Sequence, residues 1–343
     1  MSYYIGETAK MPKNLKKIAC RNNSVRFLAP KNYYSLGKFP LSKLLENFQA
    51  AKKNESFLCH FLRGKNLVYI SLILFLCASL SGCAGPFRFI NYSLSDTPRY
   101  SSTVNPPYKN AYREKIKVVS YNIKHSARIK EAVDLLQNNE DLADADILLL
   151  QEMIPSAVEK IATDLDYNYI FYPAVLHPLL DANFGNAILS KWPITFDENI
   201  IFPPIKEKSR HRVAVAAKLK VNGQDVLVYS LHMGVFMKPG QRSRQIQGIL
   251  DAIDRDIEYC IVAGDFNTIK KKDQDEIIKT FSQAGFKHAT SDVDWTYKHW
   301  YFMNYKSVFD HIFVRGPKIL RSGKVDDRTP SDHLPVWMEF SLK

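Results

Sequence analysis

From Ile116 to the end of the chain, short apolar runs that read as strands alternate with segments of helical period. This alternation constrains the fold more than any other feature, because strands interleaved with helices build sheets whose faces the helices cover. The runs are IKVVSYN from 116, DILLLQE from 146, AILS from 187, RVAVAAKL from 212, DVLVYSLH from 225, YCIVAGDFN from 259, FDHIFVRG from 309 and LPVWMEF from 334. Helical patterns fall near 128–138, 241–255 and 273–284. The expectation is one α/β domain over 116–343, long enough to bury a sizeable core.

Polar residues stand at the ends of these runs, where open α/β sheets place their sites. Asn122 closes the first run, Glu152 the second, and His232 follows YSL. Asp265 and Asn267 end IVAGDFN, Asp310 and His311 interrupt an apolar run, and Ser331-Asp332-His333 precede the last. Taken singly, each has a dull reading. An Asn or Asp after a strand is commonly a turn residue, a lone Glu is a solvated end, and a lone His is a hydrogen-bonded structural group. Six such interruptions in one domain, all oxygen or imidazole groups, exceed what turns require. Carboxylates with an amide oxygen and no thiolate suit a hard cation such as Mg²⁺ or Mn²⁺. Histidines with neighbouring carboxylates supply acid–base chemistry.

In this order, SYN, LLLQE, GNAILS, YSLH, GDFN, DHIF and SDHLPV resemble the endonuclease/exonuclease/phosphatase superfamily, across essentially all of 116–343. The resemblance implies a four-layer α/β sandwich, with two mixed β-sheets packed face to face and helices outside, and metal-dependent phosphoester hydrolysis. Glu152 resembles the primary metal-binding glutamate, with Asn122 beside it, and Asp332 a further metal-site carboxylate. His333 resembles the catalytic imidazole and Asp310 the carboxylate that orients it. Asp265 and Asn267 resemble the pair that positions the nucleophilic water and a phosphate oxygen. His232 resembles the second histidine of the deoxyribonuclease, sphingomyelinase and inositol-phosphatase branches, a departure from the abasic-site endonuclease branch. Asn186 and Arg212 are weaker phosphate-contact candidates. Which histidine gives the proton and which takes it stays open.

The N-terminal third is different in kind. Residues 1–115 hold 18 basic and 5 acidic side chains, whereas 116–343 hold 29 and 30. The basic character of the whole chain therefore describes its first third and is poor evidence that the larger domain binds nucleic acid. Within that domain, local cations remain at Arg210, Arg212, Arg242, Arg244 and Lys270–Lys272, each equally readable as solvated surface. Cys260 is the domain's one cysteine, which cannot close an internal disulfide, and no Cys/His cluster suggests structural zinc.

Residues 67–80 read LVYISLILFLCASL, behind Arg63 and Lys65, and lead into Leu80-Ser81-Gly82-Cys83. A short apolar core after basic residues, ending in small residues, is the pattern of a secretory signal. Its end resembles a bacterial lipobox with Cys83 as the lipidated residue; the alternative is a transmembrane anchor, and a buried helix ranks behind both. The expected organisation is a basic segment over 1–66, this signal-like or anchor segment over 67–83, a Pro-containing tether over 84–115 and a catalytic domain over 116–343. Signals begin close to a chain start, so 1–61 is expected to precede the true start of translation, or else to be a cytoplasmic extension. Either reading places the catalytic domain at the bacterial cell envelope, outside the cytoplasm and tied to the membrane.

The expected activity is an Mg²⁺-dependent phosphodiesterase or phosphoesterase at the envelope, acting on nucleic acid or a phospholipid headgroup, with no protein partner. Two other readings are an extracellular nuclease acting on DNA or RNA and, from another class, a catalytically dead binding or effector domain on the same scaffold.

Overall fold

In a computed structural model the described residues are 89–103, 112–206, 209–238, 240–254, 256–299 and 305–342. The apolar run at 67–80 and Cys83, with the lipidation proposed there, lie outside them. Among the described residues no helix is long and apolar enough to cross a membrane.

Strands β3 (Ile116–Asn122) and β10 (Tyr259–Asp265) are buried at every position. Strands covered on both faces lose the apolar–polar alternation and read as continuous apolar runs. Two sheets supply the cover. The first runs in the order β1 (Ile90–Asn91), β5 (Asn168–His177), β6 (Ala182–Ser190), β4 (Ile147–Met153), β3, β16 (Val336–Ser341), β15 (Lys318–Lys324), with β2 (Tyr100–Ser102) also pairing β5. The second runs β11 (Lys287–His288), β14 (Asp310–Arg315), β10, β9 (Gln224–His232), β8 (Val213–Val221), β7 (Ile194–Ile201). Parallel and antiparallel pairs occur in both, as in β3 with β4 and β10 with β14.

Alternate residues of the same strands face opposite layers. Val118, Leu149, Val215, Val228, Ile261 and Ile312 meet between the sheets. Val119, Leu148 and Leu150 instead meet helices α1 (Ile129–Asn138) and α2 (Pro155–Asp164) through Val133, Leu136, Val158 and Ile161. On the far side, Leu227, Tyr229 and Val262 pack on α3 (Gln241–Ala252) and α4 (Lys271–Gln283) through Ile246, Ile249, Ile277 and Phe281. This is the expected α/β sandwich.

Several elements exceed the expectation. β5 carries Pro173 inside its span, and its register with β6 shifts between Pro173 and Val175, the irregularity a strand proline requires. β7 and β15 lie at sheet edges and alternate poorly because one side meets solvent. Part of the expected tether is structured as well: β1 and β2 extend the first sheet along β5.

Candidate active site

Register brings the strand-end residues together. Asp265 pairs with His232 across the parallel β9–β10 ladder and with Asp310 across the antiparallel β10–β14 ladder. Tyr297, on the short hairpin of β12 (Tyr297–His299) and β13 (Tyr305–Ser307), bridges to His333. In the facing sheet Asn122 ends β3 beside Gln151 of β4. Gly264 lets β10 lie this close to β9: with φ +147, a side chain there would collide with the Leu231 carbonyl.

Asp265 is the hub. Its Oδ2 accepts from Asn122 Nδ2 at 3.0 Å and from Asn267 Nδ2 at 3.3 Å, and its Oδ1 accepts from the Asn267 amide at 2.9 Å. His232 Nε2 lies 3.3 Å and His333 Nε2 3.8 Å from the same Oδ2. His333 Nδ1 is 2.9 Å from Asp310 Oδ2. Thr296 Oγ1 accepts from the Phe309 and Asp310 amides at 2.9 and 3.1 Å, which fixes the strand that presents Asp310. Ser331 Oγ donates to Asn122 O at 2.7 Å and accepts from the His333 amide at 3.2 Å, tying the SDH turn to β3.

The two histidines are driven apart electrostatically. Burial depresses both, but at His333 the Asp310 and Asp265 carboxylates outweigh it and the imidazolium is favoured. At His232 burial is joined by the Arg212 and Arg210 charges, so this ring is held neutral, well below its ordinary value. One Arg212 nitrogen, Nη1, lies 2.9 and 2.8 Å from the two His232 ring nitrogens. A neutral imidazole has one donor and one acceptor, and only Nε2 faces Asp265, so the tautomer that serves both partners has Arg212 donating to Nδ1 and the Nε2 proton directed at Oδ2. The Asp265 carboxyl is raised by burial, with Asp310 adding to the rise and His333 opposing it.

Glu152 sits where the β4–β6 register shifts between Leu150 and Met153, with φ +61. A left-handed non-glycine residue at a bulge turns its side chain out of the ladder, and such backbone costs about 1–3 kcal/mol. The Glu152 carboxylate accepts from the His125 amide at 3.0 Å and lies 4.0 Å from His232 Nε2. No Lys or Arg pairs with it among the described residues. Asp332 pairs with Lys124 Nζ at 3.0 Å.

These groups line a cleft of about 1030 Å³, shared by Glu152, Arg210, Arg212, His232, Asp265, Asn267, Asp332 and His333. Asn122 and Asp310 are buried behind them. Asn186 is not in the cleft. Buried between the sheets, it donates to Val213 O and Ser230 O at 2.9 and 3.2 Å, so its amide ties the layers together and is not exposed to a phosphate. Arg242 is also withdrawn from any substrate: it is buried and donates to Phe266 O and, at 3.2 Å, to Asn267 O. Residues that sequence reasoning passed over form one wall: Tyr297, His299, Tyr305 and Phe309. Tyr297 stacks on Phe309 at 4.7 Å between centroids and lies 4.9 Å from the His333 ring. The aromatic density of the stretch from Trp295 to Phe309 was the available signal.

A divalent cation fits this donor set. The oxygens are carboxylate and amide, which suit a hard ion, and Glu152 lines the cleft with its Oε2 3.3 Å from His125 Nε2 and no Lys or Arg paired with it among the described residues. The tightest ligand group among the described residues is a different one: Asp265, Asp310 and His333, with ligand atoms within 4.8 Å of one another. Of these atoms, His333 Nδ1 and Asp310 Oδ2 are already engaged with each other, whereas Asp310 Oδ1 is buried without a hydrogen-bond partner.

The model of the Endonuclease/Exonuclease/phosphatase family matches residues 119–333. Solved structures share the fold. TDP2 of D. rerio complexed with a single-strand DNA product aligns at TM-score 0.53 and 18% identity, over 67% of this chain and 100% of that one. The mannosyl-6-phosphatase of Bacteroides thetaiotaomicron aligns at 0.50 and 19%, over 66% and 99%. An endonuclease/exonuclease/phosphatase from Bacteroides vulgatus aligns at 0.53 and 15%, over 67% and 100%. No curated protein matches by sequence.

Proposed function

The chain belongs to the endonuclease/exonuclease/phosphatase family, a family of phosphoester hydrolases, and from that premise we propose that it is a metal-dependent phosphodiesterase acting at the bacterial cell envelope. The observation that carries the reading is the His333–Asp310 pair beside Asp265, at a cleft that also holds Glu152. A phosphodiester is an anion that repels nucleophiles, so its hydrolysis needs neutralised oxygens, an oriented water and a proton for the leaving group. His333, kept protonated by Asp310 and Asp265, is the proton donor. Asp265 and Asn267 orient the water, and the high proton affinity of Asp265 suits it to receive a proton. His232, neutral and engaged by Arg212 and Asp265, donates a hydrogen bond and does not shuttle protons. Arg212 supports the phosphoryl oxygens.

Glu152, with Asn122 and Asp332, would hold the cation, Mg²⁺ or Mn²⁺. When bound, it supplies charge neutralisation at a nonbridging phosphate oxygen. The cluster of Asp265, Asp310 and His333 is assigned to proton transfer and not to metal, because a cation there would break the hydrogen bond that defines the pair.

A nuclease is the second reading, favoured by Arg210 and Arg212 in the cleft. A dead scaffold is disfavoured because the catalytic and metal-site residues are present and converge. Envelope attachment rests on 67–83 alone. Cys83→Ser should release the protein from membranes, and unchanged retention with no lipid on the wild type would favour a transmembrane anchor. The activity is tested by incubating purified protein with Mg²⁺ against nucleic acids, sphingomyelin, phosphoinositides and bis(4-nitrophenyl) phosphate. Turnover of small or lipid phosphodiesters supports the proposal, cleavage of DNA alone favours the nuclease, and no turnover on any of them would sink both.

A further inference from the structure

The segment Phe89–Tyr92 lies ahead of the family match yet holds Arg210, a residue of the cleft wall. β1 is rooted on β5 through Ile90 opposite Leu176 and Asn91 opposite Val175. From there Asn91 grips the backbone on both sides of Arg210: its Nδ2 donates to Ser209 O at 3.0 Å, and its Oδ1 accepts from the His211 amide at 2.9 Å. His211 Nδ1 lies 3.0 Å from Tyr92 O, a second tie between the same two segments. Arg210 itself lies over two rings, its guanidinium carbon 5.2 Å from the Phe89 centroid and 5.6 Å from that of Phe184.

A guanidinium laid on aromatic faces keeps the donors around its edge free, the geometry that recognises phosphate. Arg210 makes no hydrogen bond or ion pair among the described residues, although it is largely withdrawn from solvent and lines the cleft. A buried cation without an anionic partner is costly, and a bound anion offsets that cost. Arg210 is not among the groups that act on the catalytic pair; the carboxylate that acts on Arg210 is Glu152. The carboxylates acting on His333 are Asp310, Asp265 and Asp332, whereas Arg210 acts on Arg212, His232 and His177.

We propose that the β1 segment makes Arg210 a second anion subsite, which takes a phosphate of the substrate other than the one hydrolysed, and that Asn91 is the positioning residue for it. The inference rests on the phosphodiesterase reading and narrows it to substrates with two phosphate groups. The second phosphate belongs either to a neighbouring nucleotide or to a phosphorylated headgroup.

The test uses the full chain and two substrate pairs: dithymidylate with and without a 5′-phosphate, and glycerophosphoinositol with and without a 4-phosphate. In at least one pair the wild type should prefer the doubly phosphorylated member by tenfold or more in kcat/KM. Arg210→Met should reduce that preference at least fivefold, acting through KM. Asn91→Ala should reduce it in the same direction, and Arg210→Lys should retain part of it. Calorimetric binding of the same pairs reads the ratio without turnover. The pair that shows the preference identifies the source of the second phosphate. No preference in either pair, or equal losses on both members in Arg210→Met, overturns the subsite. Failure of turnover with the binding ratio intact would count against the hydrolase reading alone.

Discussion

His333 Nδ1 and Asp310 Oδ2 stand 2.9 Å apart in a buried pair that joins the turn before β16, in one sheet, to β14 in the other. The relationship ties proton chemistry to the packing of the sandwich, since neither residue reaches the other unless the sheets are docked. His333→Ala should lower kcat by ~10² or more with no recovery at high metal concentration, because a proton-transfer group is lost. Asp310→Asn should lower kcat in the same direction, because it removes the carboxylate that keeps the ring protonated. Steady-state kinetics over a metal titration decide this, and turnover within a few-fold of wild type in His333→Ala would refute the assignment.

Glu152→Gln should behave differently. The amide keeps the shape and loses the charge, so activity at fixed Mg²⁺ should fall by about 10–100-fold and recover in part as Mg²⁺ is raised. Chelation should abolish wild-type activity, with Mg²⁺ or Mn²⁺ restoring it. A Glu152→Gln loss that no metal concentration relieves would point instead to a structural role for this left-handed position.

Much of this was legible in the sequence, for a physical reason. Strands buried on both faces, such as β3 and β10, announce themselves as apolar runs, and a polar group that closes such a run stands at a sheet end. What stayed hidden depends on distant partners. β5 was masked by Pro173, and the edge strands β7 and β15 by their half-exposed pattern. Asn186 and Arg242 have the right chemistry for phosphate, yet both spend their donors on backbone carbonyls. Arg242 did leave a trace: with Gln245, Ile246 and Ile249 it lies on the buried stripe of α3, where a substrate contact would not stand. The aim of Arg210 depends on a side-chain clamp from a segment over a hundred positions away, for which no local pattern exists.

His288 and His311 form a second histidine pair, 3.0 Å apart between Nε2 and Nδ1, with Thr268 Oγ1 3.1 Å from the far nitrogen of His311. Burial pushes His288 down to about 4, and burial together with His288 holds His311 well below its ordinary value. Both are neutral in the folded state, while the unfolded chain protonates near 6.5. The His288 contribution is therefore present above pH 6.5 and lost as the pH falls toward 4, and that of His311 likewise declines as the pH falls below 6.5. For His288, partly exposed, the loss should be on the order of 2 kcal/mol at most. His288→Phe keeps the ring beside Phe313 and should flatten the decline in unfolding free energy between pH 6.5 and 4, as read by urea denaturation. An unchanged slope would mean that the ring titrates freely.

Arg242 provides the last expectation, for a residue that touches no substrate. Its guanidinium donates to the carbonyls of Phe266 and Asn267, the two residues that follow Asp265, and Asn267 is held at φ +52. A left-handed asparagine bonded to Asp265 through both its amide and its side chain needs that turn to keep its shape. Arg242→Met preserves the apolar stem on α3 but leaves the buried Phe266 carbonyl without its Arg242 donor and the Asn267 carbonyl with the Ile269 amide alone, at a cost of about 1–3 kcal/mol. The turn should then relax, carrying the Asn267 amide away from Asp265 and lowering kcat about tenfold or more with KM little changed, because the displaced groups orient the water. Arg242→Lys offers a single ammonium in place of a fork and should recover stability better than turnover. Denaturation and kinetics on the same samples separate the two effects. If Arg242→Met loses stability while the folded fraction keeps wild-type kcat, Arg242 holds α3 to the sheet and has no part in shaping the site.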